Sequence, residues 1–183
     1  MLTINEYRKV ESLEEAYELN QKKNNKIIAG GVWMKIGDRR IATAIDLSGL
    51  GLDQITETDT EFVIGAMTTL REIEKHAGLA AYTDGAIRES VRHIVGVQFR
   101  NCATVGGSIF GRFGFSDVLT VFLAMDTQVE LYHAGMVSLK EFIDMPYDND
   151  ILVALHVAKK PIRIAYLSQR NTATDFPVVA CAV

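Results

Sequence analysis

The sequence predicts an α+β fold in two lobes: a small lobe built on a parallel sheet, and a larger lobe built on a mixed sheet with flanking helices. Two observations lead to this prediction. Early in the chain, two short apolar segments enclose a glycine pair and a helix-compatible stretch, which is the pattern of neighbouring parallel strands. Further on, apolar segments at hairpin spacing alternate with short amphipathic segments that follow a capping Ser or Thr.

The first elements are a helix and a strand–helix–strand unit. Ser12 opens a capping box, with Glu15 reaching back to it, and begins the first helix. A strand over 26–29 then leads into a glycine pair, a short helix over 32–36 and a second strand over 43–47. Because so short a unit joins strands that point the same way, we predict a small parallel sheet.

The later elements are hairpins and short helices. Thr69 and Glu72 form a second capping box, and Ser116 can cap a strongly apolar, hence buried, helix. Predicted strands cover 54–58, 61–65, 128–132, 135–138, 151–157 and 162–168. Predicted helices follow Thr69 and cover 84–94, 117–125 and 139–144. No internal repeat, low-complexity tract or flexible linker divides the chain.

Composition narrows the class of protein. The 183 residues are 48% hydrophobic and 23% charged, which suits one domain or two small lobes around a shared ligand. A net charge of −4 and a pI near 5.6 argue against nucleic acid as the main partner. The sequence shows neither a signal peptide nor an apolar run near the ~20 residues of a membrane span. We therefore expect a cytoplasmic protein that does not bind a membrane.

Metal-binding and catalytic clusters are not visible in the sequence. Cys102 and Cys181 lack C-x-x-C spacing; a disulfide between them stays open, although a reduced pair is favoured. The four histidines share no spacing, and no Ser–His–Asp or Cys–His pattern is present. We predict no metal ligands and no catalytic side chains.

Two glycine pairs are the strongest candidates for ligand binding. One occupies 30–31 after an apolar strand, and the other occupies 106–107 between Thr104 and Ser108. Glycine adopts positive φ and allows close backbone approach, and successive N–H groups form a concavity for a phosphate. Each pair alone could be a plain tight turn. Two such loops in one small chain favour one extended ligand with a pyrophosphate, although the dinucleotide fingerprint G-x-G-x-x-G is absent.

The residues around these glycines resemble a known family. The similarity lies in Ala29-Gly30-Gly31, in the run from Arg100 to Ile109, and in Ser116-Asp117 just beyond that run. It points to the FAD-binding subunit of the molybdenum hydroxylases, which are the xanthine dehydrogenase and carbon monoxide dehydrogenase flavoproteins. Their FAD fold is also that of the p-cresol methylhydroxylase group. The similarity extends through nearly the whole chain.

The resemblance implies an FAD-dependent oxidoreductase subunit. Residues 1–55 would form the first FAD-binding lobe, 56–160 the second, and 161–183 the truncated start of the family's C-terminal domain, in a shortened member or a fragment. Electrons would come from an iron–sulfur subunit, fed by a molybdopterin subunit, and pass through FAD to NAD or another acceptor. The organic substrate, with xanthine the commonest guess, would be oxidised on the molybdopterin subunit. A homo-oligomer stays open.

The resemblance also assigns cofactor contacts to residues of this chain. Phosphate and ribityl contacts fall on Ala29, Gly30, Gly31, Val32, Trp33, Thr104, Gly106, Gly107 and Ser108. Contacts to ribose, adenine or the flavin ring fall on Ser116, Asp117, Ile94 and Leu152. Each of these last four could instead serve only as a helix cap or a core residue. Arg100 and Asn101 are expected to be structural, with Asn101 tying the loop to its own backbone.

Three features depart from the family pattern. Val32 and Trp33 stand where polar side chains usually follow the glycine pair, so that only backbone donors are kept. Trp33 is expected in the core or on a partner surface more than on the cofactor. Leu167 replaces a Lys near the flavin ring, although Arg170 lies three residues on. The apolar run 176–183 must pack back on the chain or join another one.

These departures support an alternative from another class. A flavin-free scaffold or assembly protein would keep the fold without the cofactor. A different nucleotide-binding module is a third hypothesis, which leaves the run from Arg100 to Ile109 unexplained.

Overall fold

A three-stranded parallel sheet forms the N-terminal lobe of the computed structural model, which describes all residues from Met1 to Val183. The strands are β1 (Thr3–Lys9), β2 (Lys26–Ile28) and β3 (Arg40–Asp46), and β3 lies between the other two. Helix α1 (Leu13–Asn20) connects β1 to β2, and a single 3₁₀ turn over Met34–Ile36 precedes β3. The predicted parallel sheet is confirmed, and the helix predicted over 32–36 is this shorter turn.

Strand β1 is absent from the sequence prediction. It pairs with β3 in parallel, from Thr3 opposite Arg40 to Lys9 opposite Asp46. All seven of its residues are exposed, so its sequence lacks the apolar alternation that marks a half-buried strand. The extended conformation of β1 therefore follows from its backbone pairing with β3 and not from its side-chain pattern.

The larger lobe is built on a five-stranded sheet. Its strands, in spatial order, are β4 (Ile55–Glu57), β5 (Glu61–Gly65), β8 (Leu152–Ala158), β6 (Thr127–Leu131) and β7 (Gly135–Ser138). The two predicted hairpins, β4–β5 and β6–β7, are confirmed. Every pairing is antiparallel, so the expectation of a mixed sheet was wrong. The physical reason is that β8 enters between the two hairpins and runs antiparallel to both β5 and β6.

Seven short helices flank this sheet, and most of the predicted capping residues are observed. They are α2 (Leu70–Lys75), α3 (Ala77–Tyr82), α4 (Ala86–Val91), α5 (Val97–Arg100), α6 (Val105–Phe110), α7 (Asp117–Leu123) and α8 (Leu139–Asp144). Thr69 and Glu72 form the predicted capping box, and Ser116 caps α7. Ser12 caps α1, but the Glu15 carboxylate accepts from the Glu11 N–H, so that box is only half formed. None of the helices combines the length and the apolar character of a membrane span.

The end of the chain folds back on the larger lobe. Strands β9 (Tyr166–Gln169) and β10 (Val179–Ala182) form a separate antiparallel hairpin. Ala180 and Ala182 pack against the main core, whereas Val179 and Val183 stay exposed. The apolar run 176–183 therefore packs back in part.

The two lobes have cores of unequal size. The larger lobe holds 26 buried hydrophobic residues in one cluster. The smaller cluster has five, namely Val10, Ala16, Ile45, Leu47 and Ile151. Ile151 immediately precedes β8, so the small core is completed from the larger lobe. The Asn20 side chain also donates to the Asn149 carbonyl oxygen at 2.7 Å, across the same junction.

Candidate cofactor site

The two glycine pairs, far apart in sequence, meet in the structure. A Cβ atom on Gly30 would lie 1.8 Å from the Cys102 carbonyl oxygen, so the first loop lies directly against the backbone that leads into the second. Gly31 has φ +66°, a left-handed conformation that glycine adopts without strain. Glycine is needed at position 30 because the Cys102 backbone lies so close, and at position 31 because of the positive φ.

The first loop presents a row of free backbone donors. The five N–H groups from Ala29 to Trp33 have no acceptor within the chain. All five residues line one cavity. Within this row, Gly31 lies in the left-handed region and Trp33 in the right-handed helical region. A row of unpaired donors at a cavity favours a bound anion.

The second glycine pair differs from the prediction. Gly106 and Gly107 lie in the first turn of α6, with negative φ, and do not form a positive-φ loop. The Gly106 N–H donates to the Ala66 carbonyl oxygen at 2.8 Å, and the Gly107 N–H donates to the Thr104 hydroxyl at 3.1 Å. The prediction that this pair offers free donors was therefore wrong. The reason is that Thr104 caps a helix whose first N–H groups are bonded inside the protein.

The absence of side chains still matters at this second pair. A Cβ on Gly106 would lie 2.6 Å from the Ala66 carbonyl oxygen, so glycine is required there by packing. A Cβ on Gly107 would meet only the Thr104 hydroxyl, at 3.2 Å. Gly107 therefore leaves room on the cavity side of α6, and this bare helix surface allows a ligand to approach closely.

One cavity of about 910 Å³ lies between these elements. Its volume is near the upper end of the range for ligand sites, roughly 300–1,000 Å³. All thirteen residues proposed from the sequence line it: Ala29, Gly30, Gly31, Val32, Trp33, Ile94, Thr104, Gly106, Gly107, Ser108, Ser116, Asp117 and Leu152. The structure thus brings them together, and their individual cofactor contacts stay predictions.

Asp117 makes contacts that the sequence did not suggest. Its buried carboxylate accepts hydrogen bonds from the Tyr166 hydroxyl and from the Arg170 guanidinium, both on the same oxygen, Oδ1. Burial and the hydrogen bond to Asp117 raise the pKa of Tyr166 above its ordinary value. Ser116 caps α7 by accepting from the Leu119 N–H at 3.2 Å. Both residues therefore have structural roles in addition to lining the cavity.

Arg100 and Asn101 have separate roles. Arg100 is buried and donates through Nε and Nη2 to the Glu74 carboxylate, at 2.8 and 3.3 Å. This ion pair ties α5 to α2, so the expected structural role of Arg100 is confirmed. Asn101 is exposed and its side chain makes no hydrogen bond. The expectation that Asn101 ties the loop to its backbone was wrong, because the residue turns outward at the C-terminus of α5.

Charged residues that line the cavity were partly missed. Lys26 and Arg39 line it next to the first loop, and neither has an ion-pair partner. Arg170 also lines it and is paired with Asp117. Leu167 is 75% exposed and lies outside the cavity lining, so Arg170 is the cation that this hairpin places there. The position of Arg170 three residues beyond Leu167 was the only sequence signal for it.

Three aromatic residues that line the cavity with Trp33, namely Phe113, Phe115 and Phe176, were also missed. Trp33 is 51% exposed and stacks on Phe176, with ring centroids 5.4 Å apart. Phe113 and Phe115 line the same region and stack on each other at 5.1 Å. Trp33 is thus not a core residue, contrary to one expectation. These rings come from three separate segments, so no local pattern predicted their meeting.

The remaining candidates for metal chemistry are dispersed. Cys102 and Cys181 are both exposed and unpaired. His156 lies between the carboxylates of Glu61 and Glu130, at 3.2 and 3.0 Å, on the open face of the five-stranded sheet. No group of three His, Cys, Asp or Glu side chains converges as a set of metal ligands.

Comparison with known proteins agrees with this geometry. A family model described as the FAD binding domain in molybdopterin dehydrogenase matches residues 3–159. The curated relatives include the uncharacterized protein YgfM of Escherichia coli, in strain K12 and in O157:H7. Each is 27% identical over 168 residues, which covers 87% of this chain and 61% of the relative. The chain thus spans about 61% of the length of these relatives.

Solved structures share the fold across nearly the whole chain. A Cu,Mo-CO dehydrogenase chain has a TM-score of 0.87 and 24% identity, covering 100% of this chain and 69% of its own. Quinoline 2-oxidoreductase from Pseudomonas putida 86 has a TM-score of 0.86 and 19% identity, covering 97% and 67%. Carbon monoxide dehydrogenase from Hydrogenophaga pseudoflava has a TM-score of 0.85 and 23% identity, covering 97% and 67%. These likenesses confirm the α+β fold.

The family match spans most of the chain and includes both glycine pairs, Ser116, Asp117 and Leu152. The chain therefore belongs to the family of FAD-binding domains of molybdopterin dehydrogenases, whose cofactor is FAD.

Proposed function

We propose that the cavity binds FAD and that the chain is the FAD-binding electron-transfer subunit of a molybdenum-dependent dehydrogenase or hydroxylase. The observation that carries this proposal is the row of five free N–H groups from Ala29 to Trp33 along one wall of the cavity. Unpaired donors of this kind favour a bound anion, and the diphosphate is the anionic part of FAD.

Electrostatics support the same placement of the diphosphate. Lys26 and Arg39 line the cavity beside the first loop without a carboxylate partner. Asp117 also lines it, but Arg170 balances its charge, so a diphosphate would not face an uncompensated carboxylate at this point. The first loop and its two free cations thus form the region best suited to the two phosphates.

The other lining residues fit the uncharged parts of the cofactor. Thr104 and Ser108 flank the bare surface of α6 at Gly107, where the ribityl chain could lie. Ile94 and Leu152 supply apolar side chains for a planar ring. The bound flavin would supply the electron chemistry, while the protein supplies position, exclusion of water and electrostatics.

The wider assembly is part of the proposal. The similar structures are carbon monoxide dehydrogenases and a quinoline 2-oxidoreductase, which supports an oxidoreductase complex. We infer that an iron–sulfur subunit delivers electrons to this chain and that a molybdopterin subunit oxidises the substrate. The acceptor is NAD or another oxidant, and the most specific form of the proposal is a xanthine dehydrogenase-like complex.

A competition series tests the proposed site. The purified chain should bind FAD, detected by the flavin absorption bands retained after gel filtration. ADP should compete with FAD because it carries the diphosphate and the adenosine, whereas riboflavin, which has no phosphate, should compete far more weakly. Folded protein that binds neither FAD nor ADP would contradict the proposal and favour the flavin-free scaffold.

The variant Gly107→Val tests the bare surface of α6. The valine side chain would project into the cavity, so we expect FAD affinity to fall at least tenfold, about 1.4 kcal/mol. Gly37→Val is the matched control, because Gly37 has extended backbone and its Cβ would make only an ordinary contact at 3.6 Å. Circular dichroism should show both variants folded. Unchanged FAD affinity in Gly107→Val would remove α6 from the site.

A further inference from the structure

The loop between β9 and β10 forms part of the cavity wall. Arg170, Asn171, Thr174, Asp175 and Phe176 all line the cavity, and we call residues 170–176 the strap. The strap is a compact turn, since the Thr172 N–H donates to the Asp175 carboxylate at 3.0 Å and the Asp175 N–H donates to the Thr172 carbonyl oxygen at 3.2 Å.

An aromatic contact joins the strap to both lobes. The Phe176 ring lies 5.4 Å from the Trp33 ring at an interplanar angle of 18°, and 4.4 Å from the Phe115 ring at 50°. Trp33 belongs to the loop with the free N–H groups, and Phe115 precedes α7 of the larger lobe. Phe176 is 53% exposed and lies outside the buried core, so these contacts can break without unfolding the lobes.

An ion pair anchors the other end of the strap. Arg170 binds the buried Asp117 carboxylate, and its Nη1 also donates to the Asp175 carbonyl oxygen at 2.6 Å. Arg170 has a side-chain exposure of 7%, so this end is fixed. Arg170 thus holds both ends of the strap backbone, and stacking holds the Phe176 ring against Trp33 and Phe115.

We propose that the strap is part of the FAD site and that the clasp of Phe176 between Trp33 and Phe115 slows the release of FAD. The inference rests on the proposed function, because it assumes that FAD occupies this cavity. A cofactor in the cavity lies against the strap, and its departure requires the Phe176 ring to leave Trp33 and Phe115. Aromatic pairs of this geometry are stabilising, so breaking the clasp should accelerate release.

The rate of FAD release tests the clasp. In Phe176→Ala we expect FAD to dissociate roughly three to ten times faster than from the wild type, as the loss of a ring-stacking contact predicts. Leu167→Ala is the matched control, because Leu167 lies on the same hairpin, is exposed and does not line the cavity. Its release rate should equal that of the wild type.

The intrinsic fluorescence of Trp33, the single tryptophan, reports the clasp without FAD. Its emission should shift to longer wavelength in Phe176→Ala and stay unchanged in Leu167→Ala. In the Trp33→Ala background, Phe176→Ala should change the release rate less than in the wild type, because their contact is already lost. Equal release rates in wild type and Phe176→Ala would overturn the inference and leave FAD binding intact. A wild type that binds no FAD would overturn both.

Discussion

Single residues at the glycine pairs are constrained by different physical causes. Gly30 is required by contact, since its Cβ would overlap the Cys102 carbonyl oxygen at 1.8 Å. Gly31 is required by its positive φ, and nothing lies within 4 Å of its Cβ position. Glycine meets the first condition without overlap and the second without strain, which explains why two adjacent glycines serve one loop.

The substitution Gly30→Ala tests the contact between the two loops. We expect it to lower the free energy of unfolding by about 1–3 kcal/mol, because a backbone carbonyl cannot move away as a flexible side chain can. FAD affinity should fall as well, since the first loop is displaced. Gly37→Ala, in the same loop, should change neither quantity beyond about 0.5 kcal/mol. Urea titration measures stability, and equal midpoints for both variants and the wild type would contradict the contact.

Contacts between residues close in sequence could be predicted, whereas contacts between distant residues could not. Thr69, Ser116 and Glu72 were identified as capping residues because a cap acts within three or four positions of the chain. The bond between Asp117 and Arg170 joins residues 53 positions apart, and no spacing rule indicates it. The sequence therefore predicted that Asp117 lines a site but could not show that a counter-ion balances its charge.

At the scale of elements, α6 shows how tertiary bonds override propensity. Glycine is unfavourable inside a helix by roughly 1 kcal/mol relative to Ala, so two glycines in sequence suggest a loop. Here the N–H groups of Val105 and Gly106 donate to the carbonyl oxygens of Thr68 and Ala66, at 2.9 and 2.8 Å, which fixes the turn. Strand β1 was missed for a similar reason, since its partner strand and not its own composition determines it.

The ion pair between α2 and α5 gives a prediction with a defined pH dependence. Burial opposes ionisation of Glu74, but hydrogen bonds from Arg100 and Arg71 outweigh it and hold the pKa of Glu74 below its ordinary value of 4.5. A carboxylate with a lowered pKa stabilises the fold above the unfolded pKa and loses this contribution as pH falls through the folded one. The stabilisation should therefore be complete at pH 7, begin to fall near pH 4.5 and be lost once the pH passes below the lowered pKa of Glu74.

Glu74→Gln tests this ion pair. At pH 7 the variant should be less stable by about 3–5 kcal/mol, because the buried Arg100 loses its counter-charge. The difference from the wild type should shrink as the pH falls below 4.5 and through the lowered pKa of Glu74, where the carboxyl of the folded wild type becomes protonated. Glu89→Gln, which removes only the exposed pair with Arg92, should change stability by less than about 1 kcal/mol. A difference that stays constant from pH 7 to pH 3 would rule out the charge as its origin.

At the scale of the whole molecule, the lobes are unequal and interdependent. The division at about residue 55 follows the order of the elements, and it remains our proposal for the lobe boundary. The small core, however, includes Ile151, which lies more than a hundred residues after β3 in the chain. Sequence periodicity could indicate that Ile151 is buried, but it could not show which of two cores it completes. Ile151 also lines the cavity, so the cavity lies where the larger lobe completes the small core.

The variant Ile151→Ala tests whether the small lobe depends on the larger one. Ile151 is 1% exposed, and truncation of a buried Ile costs about 2–5 kcal/mol. Because the small core has only five buried members, the loss should fall on β1, β2 and β3. Hydrogen exchange of their amides should accelerate by roughly 30-fold or more, which corresponds to about 2 kcal/mol.

The control for this experiment is Ile143→Ala, which makes the same chemical change in α8 on the larger lobe. It should leave exchange in β1, β2 and β3 unchanged, because Ile143 packs only against the larger core. FAD should restore slow exchange in Ile151→Ala, since a ligand that binds the folded state at 100 times its Kd adds about 2.7 kcal/mol. Acceleration confined to the five-stranded sheet would show that the small lobe is stable alone. Acceleration in β1, β2 and β3, reversed by FAD, would show that the small lobe depends on Ile151 and that FAD binds only when this lobe is folded.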